Sequence, residues 1–195
     1  MSDPAGGEAP RGGDEPEDAA RAETAEAHDD NGRIVILGVG NLLLTDEGVG
    51  PLTIVYLGER WRFPDHVELV DGATAGLELI NVFQSAGHIV VVDTVLGGAE
   101  PGALYRFHPD DVPMDVRYRT SIHQVSFIDA WTMARLLGPA PEIVIIGVEP
   151  EDMATPHVGL TATIEARLPD IEELVLSELS RLGVTPERRG ETDGA

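Results

Sequence analysis

Residues 38–51 read GVGNLLLTDEGVGP, and this stretch decides the fold. It follows the apolar run Ile34–Leu37, which predicts a buried strand, and it precedes a segment with helical spacing, so it connects a strand to a helix. Its glycines allow a tight turn and a close approach of the backbone to a partner. The loop carries Asp46 and Glu47 and no basic residue. It therefore offers oxygen ligands to a cation rather than donors to an anion.

Further apolar runs predict more strands along the chain. Ile89–Val92 and Ile143–Ile146 are short and apolar, Val67–Val70 is short and mostly apolar, and segments with helical spacing separate them. Strands that alternate with helices predict an α/β fold, here a three-layer, mostly parallel twisted sheet with helices on both faces. The alternating segment Ala103–Phe107 predicts one antiparallel edge strand.

The helical segments are predicted from the spacing of their apolar residues. One helix is predicted over Thr74–Phe83. The motif Ser121–Gln124 fits a capping box, with Ser121 as the N-cap of a helix that stops at Gly138. The segment Thr161–Leu182 predicts one long closing helix, which a proline at position 169 can kink.

The distribution of apolar and charged residues predicts one folded domain, residues 33–184. Residues 1–32 hold ten acids, two arginines and almost no large apolar side chain, so they cannot offset the entropy of ordering. We expect them to form a disordered acidic arm. Residues 185–195 are polar, and we expect a flexible C-terminal tail.

Composition excludes several classes of function. A net charge of −22 argues against nucleic acid and anionic membranes as partners. The chain has no cysteine and no lysine, which excludes disulfides, thiolate chemistry, P-loops and Schiff bases. No apolar run reaches the roughly 18 residues that span a bilayer. We therefore expect a soluble, cytoplasmic protein.

Candidate site residues lie where the predicted strands end. In an open α/β sheet, ligands bind beyond the carboxyl ends of the strands, and these ends carry Glu47, Asp71, Asp93 and Glu149. His123 starts the capped helix, where the helix dipole disfavours imidazolium and leaves a neutral ring as ligand or base. Two carboxylates and a neutral imidazole suit a divalent transition ion such as nickel or zinc.

Each candidate also has an ordinary structural interpretation. Asp46 or Glu47 alone can be a helix N-cap or first-turn acid, and a lone histidine at a helix start is often a surface residue. Asp71 and Asp93 can be turn residues, and Glu149 can simply end a strand. Only the convergence of several such groups on one edge of the sheet favours a metal site.

Several motifs together resemble those of the NiFe-hydrogenase maturation proteases, the endopeptidases that remove the C-terminal extension of the hydrogenase large subunit. The resemblance runs from Arg33 to Gly183. It rests on these segments in the family's order: GVGNLLLTDEGVG at 38–50, DGATAG at 71–76, a strand ending in Asp93, SIHQ at 121–124, IGVEP at 146–150 and GLT at 159–161.

The resemblance implies roles for four catalytic residues. It assigns metal contacts to Glu47, Asp93 and His123, and a part in cleavage or recognition to Asp71. It also implies that the partner is the large-subunit precursor and that this substrate carries the nickel. Other divalent ions can bind to the same ligands. Cleavage would follow by attack of water on the peptide bond.

Other functions compete with this one. A self-contained metallohydrolase with a permanent ion and a non-catalytic metal-binding assembly factor would use the same acids. A flavodoxin-like nucleotide-binding module would share the fold. The glycines of the first loop also resemble a dinucleotide fingerprint, but Leu43 stands where that fingerprint needs glycine and the loop is acidic.

Overall fold

The computed structural model describes residues 32–73, 79–111 and 127–190. The strands are β1 Ile34–Val39, β2 Trp61–Arg62, β3 Val67–Ala73, β4 His88–Thr94, β5 Leu104–Phe107, β6 Glu142–Val148 and β7 Glu187–Arg188. The helices are α1 Val49–Arg60, α2 Leu79–Ser85, α3 Phe127–Leu137, α4 Ala162–Glu165 and α5 Leu168–Arg181. Two short 3-10 helices cover Thr45–Gly48 and Pro109–Asp111.

A five-stranded sheet organises the domain, with the strand order β3-β1-β4-β6-β5. The first four strands in this order are mutually parallel, and β5 runs antiparallel to β6 at the edge. The predicted mostly parallel sheet with one antiparallel edge strand is therefore confirmed. The strands β2 and β7 form a separate antiparallel pair.

Helices cover both faces of the sheet, because alternate side chains of each buried strand point to opposite sides. In β1, Ile36 packs in the apolar cluster that contains side chains of α1, α4 and α5. The next residue, Leu37, packs in a second cluster with side chains of α2 and α3. Both residues are fully buried. The predicted three-layer α/β fold is confirmed.

Glycines of the first motif allow the segment after β1 to press against the strand ends. A Cβ atom on Gly50 would lie 2.2 Å from the carbonyl oxygen of Val39 and 2.5 Å from that of Val92. Gly40 has φ +140°, and a Cβ there would lie 1.9 Å from the carbonyl oxygen of Glu47. Side chains at these positions would push α1 and the 3-10 helix away from the sheet.

Two element boundaries differ from the predictions. The predicted single closing helix is wrong, since α4 ends at Glu165 and α5 begins at Leu168. Pro169 has no N–H to donate and its ring would clash with the carbonyl of Glu165, so it lies in the first turn of a new helix. The strand predicted to end at Val70 continues to Ala73 as β3.

Some predictions fall on residues that the structure does not describe. These include most of the acidic arm, the first part of the helix predicted over 74–83, and the capping box at 121–124 with His123. Within the predicted C-terminal tail, Glu187–Arg188 form β7 and pair with β2. None of the helices in the described ranges combines the length and the apolar character needed to cross a bilayer.

Candidate functional site

The ends of β1, β3, β4 and β6 form one border of the sheet, called here the carboxyl edge. Gly38 of β1 lies opposite Asp71 of β3 on one side and Val92 of β4 on the other. Asp93 follows directly and lies opposite Gly147 of β6. This register places Asp71 and Asp93 within one residue of the same level of the sheet.

Glu47 reaches this edge from the 3-10 helix Thr45–Gly48. Its backbone is fixed in the turn: the N–H of Glu47 donates to the carbonyl of Leu44 (3.0 Å), and the N–H of Asn41 donates to the carbonyl of Glu47 (3.0 Å). The side chain is half-buried, and burial raises the pKa of the Glu47 carboxyl. In the described parts of the chain, no basic side chain pairs with it.

Asp93 is the next-to-last residue of β4, and its side chain is half-buried. The N–H of Thr94 donates to its Oδ1 at 2.7 Å. Desolvation by burial raises the pKa of Asp93 to about 7, and the negative charge of Glu47 adds to the increase although the Thr94 hydrogen bond opposes it. The two carboxylates are therefore close enough to repel each other.

Asp71 lies at the same edge but apart from this pair. It is exposed, and its Oδ1 accepts the N–H of Ala73 at 2.9 Å. Because β1 separates β3 from β4, two strand spacings of about 4.8 Å place Asp71 roughly 10 Å from Asp93 along the sheet. Ala73 has φ +42°, a left-handed backbone that is unusual for alanine, and strained backbones of this kind often lie at functional sites.

His123, the predicted third ligand, lies outside the described residues, so its role stays a prediction. Within the described ranges, no three His, Asp or Glu side chains are grouped so that they could hold a metal ion. The charges of Glu47 and Asp93 thus interact, whereas Asp71 lies on the other side of β1 from Asp93. A pair of carboxylates without a basic partner can bind a divalent cation or share a proton.

Asp46 has a role that the sequence did not indicate. It was interpreted as a helix-start acid, but α1 has Gly48 as its N-cap, with no side-chain capping bond. The carboxylate of Asp46 is instead completely buried and accepts hydrogen bonds from Glu151, Asp152 and Thr161. These partners are more than 100 residues away in the chain, so no local pattern could have revealed them.

Glu149, a weaker candidate from the sequence, is occupied elsewhere. It is buried, and its Oε2 accepts hydrogen bonds from the N–H groups of Gly97 (2.8 Å) and Gly98 (3.0 Å) and from the hydroxyl of Tyr105 (2.6 Å). Burial alone would raise the pKa of Glu149, but these hydrogen bonds lower it overall. The carboxylate holds the connection between β4 and β5 in place.

Comparisons with known proteins agree on one family. The sequence profile HycI, described as hydrogenase maturation protease, matches residues 51–178. The hydrogenase 2 maturation protease of Escherichia coli K12 is 37% identical over 154 residues, which are 78% of this chain and 93% of that protein. The hydrogenase expression/formation protein HoxM of Azotobacter vinelandii is 39% identical over 158 residues, 80% of this chain and 76% of that protein.

A solved structure is similar as well. The hydrogenase maturating endopeptidase HybD from E. coli superposes with a TM-score of 0.75 and 36% identity. The match covers 80% of this chain and 98% of that one. The similarity therefore extends over most of both chains.

Proposed function

Since this chain belongs to the hydrogenase maturation protease family and is a peptide-bond hydrolase, we propose that it removes the C-terminal extension of a NiFe-hydrogenase large-subunit precursor. We further propose that it acts in the cytoplasm and recognises nickel already bound in that precursor. In this proposal Glu47, Asp93 and His123 supply additional ligands to the substrate's ion.

The pairing of Glu47 and Asp93 at the carboxyl edge supports this proposal most directly. Their charges repel, and burial of Asp93 makes its ionised form costly, so a divalent cation brought by the substrate would relieve both effects. The predicted imidazole of His123 would add a nitrogen ligand, which suits nickel better than magnesium. Because the protease supplies only part of the ion's coordination shell, the remaining positions are available to ligands from the substrate.

Cleavage in this proposal is attack of a water oxygen on the carbonyl carbon of the scissile bond. A carboxylate at the edge accepts the proton of that water and passes it to the departing amine. Asp71 is the candidate for a group that acts on the peptide and not on the ion, because it lies apart from the Glu47–Asp93 pair. Docking through the ion would hold the scissile bond within reach of these acids.

Exposed apolar side chains around the edge are consistent with a protein substrate. Four of the eight exposed large apolar residues of the described ranges lie on loops at this edge: Leu42 and Leu43 after β1, Leu96 after β4 and Val158 after β6. Exposed apolar surface of this kind is typical of sites that bind polypeptides.

The proposal is tested by incubating the purified chain with nickel-loaded and nickel-free precursor and measuring the precursor mass. We expect loss of the extension only from the loaded form. Glu47→Gln, Asp93→Asn and His123→Ala should lower the cleavage rate at least 100-fold. Asp71→Asn should lower cleavage while the precursor still binds.

Glu142→Gln is the matched control, because Glu142 is an exposed carboxylate that starts β6 at the opposite edge of the sheet. It should cleave at the wild-type rate. Equal cleavage of nickel-free precursor would refute recognition of the ion. A stoichiometric metal ion in protein purified without added metal would instead support the self-contained metallohydrolase.

A further inference from the structure

We propose that Asp46 is a positioning residue for Glu47. Its buried carboxylate joins the 3-10 helix that carries Glu47 to the loop between β6 and α4, and so fixes where the Glu47 side chain starts. This inference rests on the proposed function, because it assumes that Glu47 contacts the substrate's ion.

The carboxylate of Asp46 is surrounded by donors from this loop. Its Oδ2 accepts the N–H groups of Glu151 and Asp152, both at 2.9 Å, and the hydroxyl of Thr161 at 3.1 Å. Its Oδ1 accepts the N–H of Thr161 at 2.8 Å. The backbone N–H of Asp46 donates to the carbonyl of Asp152 at 3.0 Å. Both ends of the loop are thus tied to one residue.

Thr45 strengthens the same attachment from the preceding position. Its N–H donates to the carbonyl of His157 at 3.0 Å, and its hydroxyl donates to the carbonyl of Thr155 at 2.6 Å. Thr45 has φ +42°, a conformation that costs a β-branched residue energy and persists only where surrounding contacts impose it. The turn is therefore held in one strained geometry immediately before Glu47.

The chemistry of Asp46 explains why a carboxylate is needed there. Its negative charge is completely buried and, in the described ranges, is balanced only by neutral donors rather than by a basic side chain. Burying a charge is costly, and several hydrogen bonds to both oxygens are required to offset that cost. Asparagine has one acceptor oxygen, and its amide group would face N–H donors. Asp46→Asn therefore removes part of the network with little change in volume.

The effect on Glu47 separates positioning from general stabilisation. If Asp46 only stabilised the fold, its replacement would lower thermal stability in the same way as the replacement of any other buried carboxylate. Glu178 provides the comparison: it is buried on α5 and accepts hydrogen bonds from Arg106 of β5, a different part of the chain from the loop that holds Asp46. We therefore pair Asp46→Asn with Glu178→Gln as a control that loses a buried carboxylate elsewhere.

The experiment measures binding of Ni²⁺ alone by calorimetry and amide hydrogen exchange of the full chain. Glu47→Gln identifies the part of the binding signal that comes from the proposed site. For Asp46→Asn we expect at least tenfold weaker Ni²⁺ binding and at least tenfold faster exchange in residues 44–47. Glu178→Gln should show wild-type affinity and wild-type exchange in residues 44–47, even though its melting temperature falls.

Wild-type affinity and unchanged exchange in residues 44–47 of Asp46→Asn would overturn the inference. If the wild-type chain binds no Ni²⁺ in the absence of precursor, the precursor cleavage assay still decides the ligand role of Glu47, and the exchange result alone decides whether Asp46 positions the turn. Should Asp46→Asn not fold, Thr161→Val removes one donor to Asp46. Faster exchange in residues 44–47 of that variant would support the inference, and unchanged exchange would overturn it.

Discussion

Replacing Asp93 by asparagine should make the protein more stable while it removes a residue of the site. Burial holds the pKa of Asp93 at about 7, compared with the ordinary value of 3.8. A carboxyl whose pKa is raised by folding binds its proton more tightly in the folded state. Its ionisation therefore destabilises the fold as pH rises from about 4 to 7, and the full cost is present above pH 7.

The size of this effect follows from the difference between the two pKa values. At 1.36 kcal/mol for each pKa unit, the difference corresponds to about 4 kcal/mol. Because the side chain is half-buried rather than enclosed, water screens part of this cost, and we expect about 1–3 kcal/mol. Asparagine carries no charge and keeps an oxygen that can accept the Thr94 N–H, so it avoids the cost at every pH.

The assay is urea denaturation of wild type and Asp93→Asn at pH 5, 6.5 and 8. The variant should gain stability over the wild type at pH 8, this gain should fall to roughly a third at pH 5, and it should approach zero only near pH 4. Glu142→Gln serves as the control for removal of an exposed carboxylate. A gain that does not change with pH, or no gain at pH 8, would refute the argument that burial of Asp93 is costly.

Three further measurements test other parts of the site and fold. Binding of Ni²⁺ to the Glu47–Asp93 pair should weaken about tenfold for each pH unit below 7, because a proton competes with the ion for Asp93. Calorimetry at pH 6 and pH 7.5 measures this change. Equal affinities at the two pH values would contradict the prediction. Glu178→Gln should lower the free energy of unfolding by about 2 kcal/mol at pH 7. The hydrogen bond from Arg106 lowers the pKa of Glu178. Denaturation curves should therefore show that the stability difference between wild type and Glu178→Gln decreases as pH falls below about 4. Leu43→Ser should raise the KM for precursor several-fold and leave kcat and Ni²⁺ affinity unchanged, whereas an unchanged KM would show that this exposed side chain does not contact the substrate.

The arrangement of acids also explains why the first loop differs from a nucleotide-binding loop. Its glycines serve close packing of α1 and the 3-10 helix on the ends of β1 and β4, as the contacts of Gly40 and Gly50 show. The charges of Glu47 and Asp93 interact at the carboxyl edge, where a nucleotide phosphate would bind in this type of sheet. A dinucleotide would meet negative charge there, so the nucleotide-binding alternatives lose support.

Much of the fold could be predicted because it depends on local patterns. Apolar runs such as Ile34–Leu37 must be buried on both faces, and their alternation with helical segments leaves a parallel sheet as the simplest solution. Parallel strands end at a common edge, so Glu47, Asp71 and Asp93 could be placed at that edge from sequence alone. The sequence predicted one closing helix with a kink at Pro169, whereas the chain forms two helices there, because the continuous helical spacing does not show whether a proline kinks a helix or ends it.

The sequence by itself determined which acids lie at the carboxyl edge, since strand direction and strand ends are encoded locally. Only the tertiary structure decided what each acid does there. Asp46 and Glu47 are neighbours in the chain, yet one is completely buried among amide donors from the loop after β6 and the other is half-buried beside Asp93. Burial and hydrogen-bond partners set the charge and role of a carboxylate. For Asp46 and Glu47 the groups that interact with them lie 46 to 115 residues away in the chain, so no local sequence pattern can predict them.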